Sequence, residues 1–278
     1  EMKLKATGDA PVAAMPARIT GTARIGQTSV ASTAILAAAT IHDFVRESMT
    51  VAVAVPAPFK FTGIFESQFG PQGTTFYRRY TIVRNGYTGP LTATMADTQV
   101  RHLQGVSCRP MPVPDKTDQF DFQIQLPTWL EVGRTSRTQM LLVGIVVDPD
   151  GTRHKVSYTS NTQSDQTIVL ATSGVVGINT TANSILARPG HTVELPFTVS
   201  RGTGAGGAGV VELKLPAHVQ GVSAKPVMLA PGQTDGTLAI RFAKSGSGPF
   251  NQPVRVQVRI VDARGNDLIG ETRVEVVD

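Results

Sequence analysis

Gly73-Thr74-Thr75-Phe76-Tyr77-Arg78-Arg79-Tyr80-Thr81-Ile82-Val83-Arg84 returns 117 residues later as Gly190-His191-Thr192-Val193-Glu194-Leu195-Pro196-Phe197-Thr198-Val199-Ser200-Arg201. Both copies hold a Gly, a Thr, an aromatic, a second Thr, a β-branched residue and a closing Arg in one register. A period of domain size means a tandem array, and it has to be recognised before any fold is assigned. The repeat runs on. Gln104-Gly105-Val106-Ser107-Cys108-Arg109-Pro110 recurs as Gln220-Gly221-Val222-Ser223-Ala224-Lys225-Pro226, and the turn Asp148-Pro149-Asp150-Gly151 recurs as Asp262-Ala263-Arg264-Gly265. The offset drifts from 117 through 116 to 114, as small loop deletions would produce.

A third, partial copy lies at the start, where Pro16-Ala17-Arg18-Ile19 leading to Arg24-Ile25 resembles Pro253-Val254-Arg255-Val256 leading to Arg259-Ile260. Residues 1 to about 48 read as the closing part of a repeat. The expected partition is residues 1–56, a partial repeat with a connecting strand; 57–171, a whole repeat; and 172–278, another. Units of that length are large enough to enclose their own apolar cores.

The composition agrees with strands. Hydrophobic residues make up 41% and charged residues 17%, values typical of a folded chain. Thr, Val, Gly and Pro are abundant, which favours strands and turns over helices. Short alternating segments recur at roughly ten-residue spacing, among them Thr50 to Val55, Phe76 to Arg84, Leu91 to Met95, Phe120 to Leu126, Val254 to Val261 and Thr272 to Val277. Turn signals such as Asn85-Gly86, Gly89-Pro90 and Pro149-Asp150-Gly151 separate them, and no 3.6-residue period intervenes. That is the pattern of an antiparallel sandwich, so the expected fold class is all-β.

Charge and cysteine content narrow the function. The net charge of +5 divides as +1, +2 and +2 over the three segments. With only 6% aromatic residues and no basic arm, the chain lacks the clustered cations and stacking platforms of a nucleic-acid binder. The single cysteine, Cys108, rules out an internal disulfide. No segment approaches the ~20 apolar residues of a membrane-spanning helix, so no membrane insertion is expected. The chain does not open with a signal sequence, and any export signal is expected upstream.

Residues Tyr80 to Met95, with Leu215-Pro216 and the two Gln-Gly-Val-Ser segments, resemble the immunoglobulin-like tandem repeats of very large secreted or surface-anchored bacterial proteins. Such repeats often stand beside pre-peptidase C-terminal domains. The resemblance implies tandem immunoglobulin-like sandwiches, a secreted or cell-surface location and no catalytic residues. The third segment departs from the pattern by replacing Gly86-Tyr87-Thr88-Gly89 with the glycine-rich run Gly202 to Gly209.

Several residue sets still have to be weighed as sites. Gly202, Gly204 and Gly207 satisfy G-x-G-x-x-G, but Val211, Leu213 and Leu215 alternate with Glu212 and Lys214 behind them. A strand therefore follows where a dinucleotide site requires a helix, and a hairpin loop is expected. Asp115, Asp118 and Asp121, and Asp148 with Asp150, are candidate oxygen clusters for calcium, although neither has EF-hand spacing and Asp-Pro-Asp-Gly also suits a tight turn. His42, His102, His154, His191 and His218 lack zinc spacing. Ala224 stands where the other repeat has Cys108, which points to a small buried position. Arg84 and Arg201 occupy the same repeat position and could bind a ligand, but a paired role in the fold is expected, in which the guanidinium fork bonds nearby loop carbonyls and carboxylates. Trp129, the only tryptophan, is either a platform for a sugar ring or a residue of the core or a domain interface.

The leading expectation is a non-enzymatic structural or adhesive segment whose partners are other domains of the same array or copies of itself. The alternative is an accessory module of a secreted hydrolase that binds a polysaccharide or an anionic surface. A row of exposed aromatics on one sheet would favour the second. The strands of the partial first repeat, without a partner sheet, leave edges that upstream sequence, the second segment or another chain could pair by strand addition.

Overall fold

A computed structural model of the chain describes residues 5–7, 10–34, 49–96 and 105–277. It resolves into two compact units, one of residues 1–57 with 146–156 and one of residues 58–145 with 157–278.

In the first unit β1 (Ala13–Ala17) pairs antiparallel with β4 (Met49–Val53), and β2 (Thr20–Ile25) forms a hairpin with β3 (Thr28–Thr33). Ala23, Ile25 and Val30 fall on one face of that hairpin, and Ile25 and Val30 are exposed.

The second unit folds as two successive β-sandwiches. Its strands are β5 (Lys60–Thr62), β6 (Ser67–Pro71), β7 (Thr75–Val83), β8 (Leu91–Met95), β9 (Met111–Val113), β10 (Gln119–Gln125), β11 (Thr135–Val147), β12 (Arg153–Tyr158) and β13 (Gln166–Thr172). The second set comprises β14 (Val176–Thr180), β15 (Ser184–Leu186), β16 (Thr192–Arg201), β17 (Gly209–Lys214), β18 (Val222–Ala224), β19 (Val227–Leu229), β20 (Asp235–Phe242), β21 (Val254–Val261) and β22 (Asp267–Val277). The β11–β12 turn belongs by residue number to the first unit.

The sheet orders correspond between the two sandwiches. One sheet runs β10-β7-β5 in the first and β18-β20-β16-β14, one strand wider, in the second; the other runs β6-β13-β11-β8-β9, with β12 also paired to β11, and β15-β22-β21-β17-β19. Among the strand pairs whose register is described, all are antiparallel except β6 with β13 and β15 with β22. Periodicity explains the faces. In β10 the residues Phe120, Phe122 and Ile124 are buried while Asp121 and Gln123 are exposed. In the second sandwich Leu195, Phe197, Leu238 and Ile240 of one sheet pack in one core with Val256, Val258 and Val274 of the other. The first core is richer in rings: Phe61 meets Tyr80 at 5.1 Å and Tyr158 at 5.3 Å, both edge-on, the geometry that aromatic quadrupoles favour.

The repeated turn also keeps its geometry. The Gly151 N–H donates to the Asp148 carbonyl at 2.9 Å, and the Gly265 N–H to the Asp262 carbonyl at 3.0 Å.

The repeats differ at the last strand. Where the second sandwich has continuous β22, the first breaks between β12 and β13, and Gln163–Asp165 forms a 3-10 turn. The break inserts a polar cluster beside the core. Asp165, 6% exposed, accepts the Gly63 N–H at 2.6 Å and the Ser160 hydroxyl at 2.5 Å. Tyr80 donates its hydroxyl to the Asp165 carbonyl at 2.9 Å, and burial raises its phenol above the ordinary value. Buried Arg78 pairs with Glu66 and donates to the Ile64 carbonyl.

Asp165→Ala removes the acceptor of two donors that have little access to water, and leaving such groups unpaired costs on the order of 1–3 kcal/mol each. We expect it to lower unfolding free energy by about 3 kcal/mol in urea titration, against less than about 1 kcal/mol for Asp150→Ala in its exposed turn.

Candidate functional site

The chemistry-bearing side chains are mostly spent on the fold. Arg84 donates to the Gly89 carbonyl at 2.9 Å and the Pro114 carbonyl at 3.2 Å. Arg201, at the same repeat position, donates to Gln233 at 2.9 Å, Ala205 at 2.8 Å and Gly207 at 2.7 Å. Each Arg thus fastens two loops at the end of its sandwich, as the repeat implied. The glycine run 202–208 leads into strand β17, in keeping with the sequence reading, but it is not a hairpin loop. It carries the chain from the sheet of β16 to the sheet of β17, and two carbonyls held by Arg201 anchor it.

The five candidate aspartates do not form one cluster. Asp121 accepts two bonds from the Arg79 guanidinium, at 2.7 and 2.9 Å, and this pairing holds its carboxyl below the ordinary value. Asp150 accepts the Thr152 N–H and hydroxyl, at 2.9 and 3.0 Å, with the same direction of shift. Asp148 contacts His154 Nε2 at 2.8 Å. Asp115 is exposed, and the backbone carbonyl of Asp118 accepts the Ile82 N–H. Among the described residues no group of three His, Cys, Asp or Glu side chains is placed to hold a metal. His218 contacts Asn251 at 2.6 Å, His191 is exposed, and His42 and His102 lie outside the described residues. Cys108 is half-buried rather than buried, because its short segment bridges the edge of β10 through Ser107 and Gln125.

What the tertiary structure assembles is a junction between the two sandwiches. Only Ser173, Gly174 and Val175 separate β13 from β14. The Ile269 N–H donates to the Gly73 carbonyl at 2.8 Å, and Tyr77 donates its hydroxyl to Asn266 at 2.5 Å. A Cβ on Gly73, whose φ is +68°, would stand 1.9 Å from the Ile269 carbonyl oxygen. Gly73 is therefore required twice, by its left-handed backbone and by the closeness of the other sandwich.

Clefts open around this junction. One of about 400 Å³ has Thr75, Arg109, Gln123 and Gln125 on one side and Asn266 and Asp267 on the other. A second holds the Arg79–Asp121 pair with Arg264. A third, about 500 Å³, sets Trp129 of the first sandwich beside Pro216, Gln252, Pro253, Arg255 and Arg273 of the second. Sequence reading singled out Trp129 but not the two arginines, which lie in another repeat. Among the described residues the exposed aromatics do not line one sheet, since Phe65 precedes β6, Phe69 lies on β6 and Trp129 lies in the turn after β10.

No protein-family profile matches the sequence, and no curated protein matches it either. Among solved structures the chain is similar to a protein of unknown function from Porphyromonas gingivalis W83, at 12% identity over 78% of this chain and 99% of that one, with a TM-score of 0.25. It is similar to the D00-D0 domain of Intimin at 14% identity over 79% of this chain and 100% of that one, TM-score 0.24. The D0-D1 domain of Intimin matches at 10% identity over 79% and 98%, TM-score 0.24. The fold assignment stands on the strand pairings themselves. Among the described residues no helix is long and apolar enough to cross a membrane.

Burial pushes the Cys108 thiol up to about 11 from an ordinary 9.0. The thiolate is the reactive form, so at pH 8 its fraction falls about a hundredfold. Native protein should react with a disulfide reagent roughly a hundred times more slowly than urea-unfolded protein, as followed by thiolate release.

Proposed function

We propose that the chain is a non-enzymatic, load-spanning segment of a secreted or surface-anchored bacterial protein, a stiff spacer that adhesive or structural arrays use to hold other parts at a fixed distance. The observation that carries this reading is the junction. Domains joined by flexible linkers move independently by default; here three residues join the sandwiches and backbone bonds to backbone across the gap. Enclosed catalytic clefts usually gather titratable groups with strongly perturbed pKa values, whereas the arginines and aspartates named above are engaged in turns and loop ties. That disposition supports a mechanical role over a chemical one. The partners are neighbouring domains of the same array or copies of this chain.

Gly73→Ala tests the stiffness directly, with Gly190→Ala as its control. Both glycines have positive φ, +68° and +78°, so both variants bear left-handed backbone strain of about 1–2 kcal/mol. Only Gly73 faces the other sandwich, because the nearest atom to a Cβ on Gly190 is Lys244 Cγ at 3.2 Å. We expect small-angle scattering of Gly73→Ala to report a larger and broader distribution of distances, while Gly190→Ala superimposes on the parent. A Gly73→Ala curve indistinguishable from the parent curve would remove the basis for a stiff spacer.

A further inference from the structure

Beside Trp129, like charges face each other across neighbouring strands. On the sheet of β17, β21 and β22, Lys214 stands directly opposite Arg255, and Arg255 directly opposite Arg273. Like charges in opposed cross-strand positions are destabilising. Two of the three cations have relief: Lys214 bonds Glu212 at 2.5 Å and Arg255 lies 3.5 Å from Glu271. Arg273 is exposed and has no ion-pair partner among the described residues. Glu212, Glu271 and Glu275 share this face with the three cations, so what the surface offers an anion is the open Arg273 with Arg255 directly across from it.

Trp129 gives the same cleft an aromatic surface. The side chain is 57% exposed, which is unusual for a residue that normally buries its large area. It is nonetheless held in place. The next residue, Leu130, is fully buried, and its carbonyl accepts the Gln72 side-chain amide. One edge of the indole lies against Gly105, whose φ is +82° and where a Cβ would stand 2.8 Å from Trp129 Nε1. The ring is thereby fixed at the mouth of a cleft of about 500 Å³, whose far side carries Arg255, Arg273 and Gln252.

The geometry points to this cleft as a binding site for an acidic polysaccharide, with the Trp129 ring against a sugar ring and the Arg273 and Arg255 guanidinium groups on sugar carboxylates. A planar guanidinium fork matches a carboxylate in bidentate fashion. The Gln252 amide can bond a hydroxyl. Nucleic acid fits less well, because its single strands are held on successive aromatic platforms along a basic groove and Trp129 is the only tryptophan of the chain. The site does not depend on the spacer reading, except that Trp129 and the arginines meet only while the two sandwiches stay docked.

Because Trp129 is the sole tryptophan, fluorescence excited at wavelengths beyond tyrosine absorption reports on this cleft alone. The full chain is titrated with oligogalacturonate at low salt, followed by fluorescence and by calorimetry, with neutral mannan oligosaccharide and oligothymidylate alongside. We expect a saturable fluorescence change with oligogalacturonate that weakens as salt rises, and no comparable response to mannan. Arg273→Ala, an exposed position whose loss leaves the cores intact, should weaken binding about tenfold or more, whereas Arg188→Ala outside the cleft should leave it unchanged. Absence of binding to millimolar concentration, equal affinity for mannan, or an unaltered affinity in Arg273→Ala would each overturn the proposal. Tighter binding of oligothymidylate than of oligogalacturonate would assign the cleft to nucleic acid instead.

Discussion

The approach of Ile269 to Gly73 governs how the two sandwiches stand. A side chain of any size at position 73 would occupy the space of the Ile269 carbonyl, and the hydrogen bond from the Ile269 N–H would be lost with it. The clefts around the junction, including the one at Trp129, take one wall from each sandwich, and this contact, with the Tyr77–Asn266 bond, holds those walls together. Gly190 keeps the same positive φ in the second copy without any such neighbour. One residue type is thus retained at equivalent positions for a shared reason, the turn, and at Gly73 for an additional one.

The closing Arg of the repeated phrase plays the complementary part within each sandwich. Arg84 and Arg201 sit where the chain leaves one sheet for the other, a place where loop carbonyls have no ladder partners. A guanidinium with five donors satisfies several at once, so these crossings remain ordered without secondary structure. The polar cluster of Asp165, Tyr80 and Arg78 does the same for the broken last strand of the first sandwich: once the ladder is interrupted, side-chain oxygens and carbonyls must bond the groups that β-pairing would otherwise have satisfied. In the second sandwich β22 runs uninterrupted, and Phe197 stands where Tyr80 does in the repeat.

Much of the fold was legible before any coordinates. Alternation marks the strands β10 and β21, and Leu91–Met95 and Val254–Val261 have the limits the sequence implies, because a period of two is a local property of the chain. Strands of three to five residues, such as β6, β9, β15 and β19, escaped notice. They are too short to show a period, and their strand geometry comes from pairing with neighbours distant in sequence. The glycine run illustrates a further limit: its composition implied a loop into a strand, but nothing in it tells a hairpin from a crossing between sheets.

The sequence by itself therefore determined the all-β class, the alternating strands and the pairing of Arg84 with Arg201 at one position of a repeated phrase, since each depends on spacing along one chain. Only the tertiary structure decided that Gly73 touches Ile269, that Asp121 answers Arg79, and that Trp129 shares a cleft with Arg255 and Arg273. Those pairs are separated by tens to more than a hundred residues and are brought together by sheet register and domain docking, which side-chain periodicity does not encode.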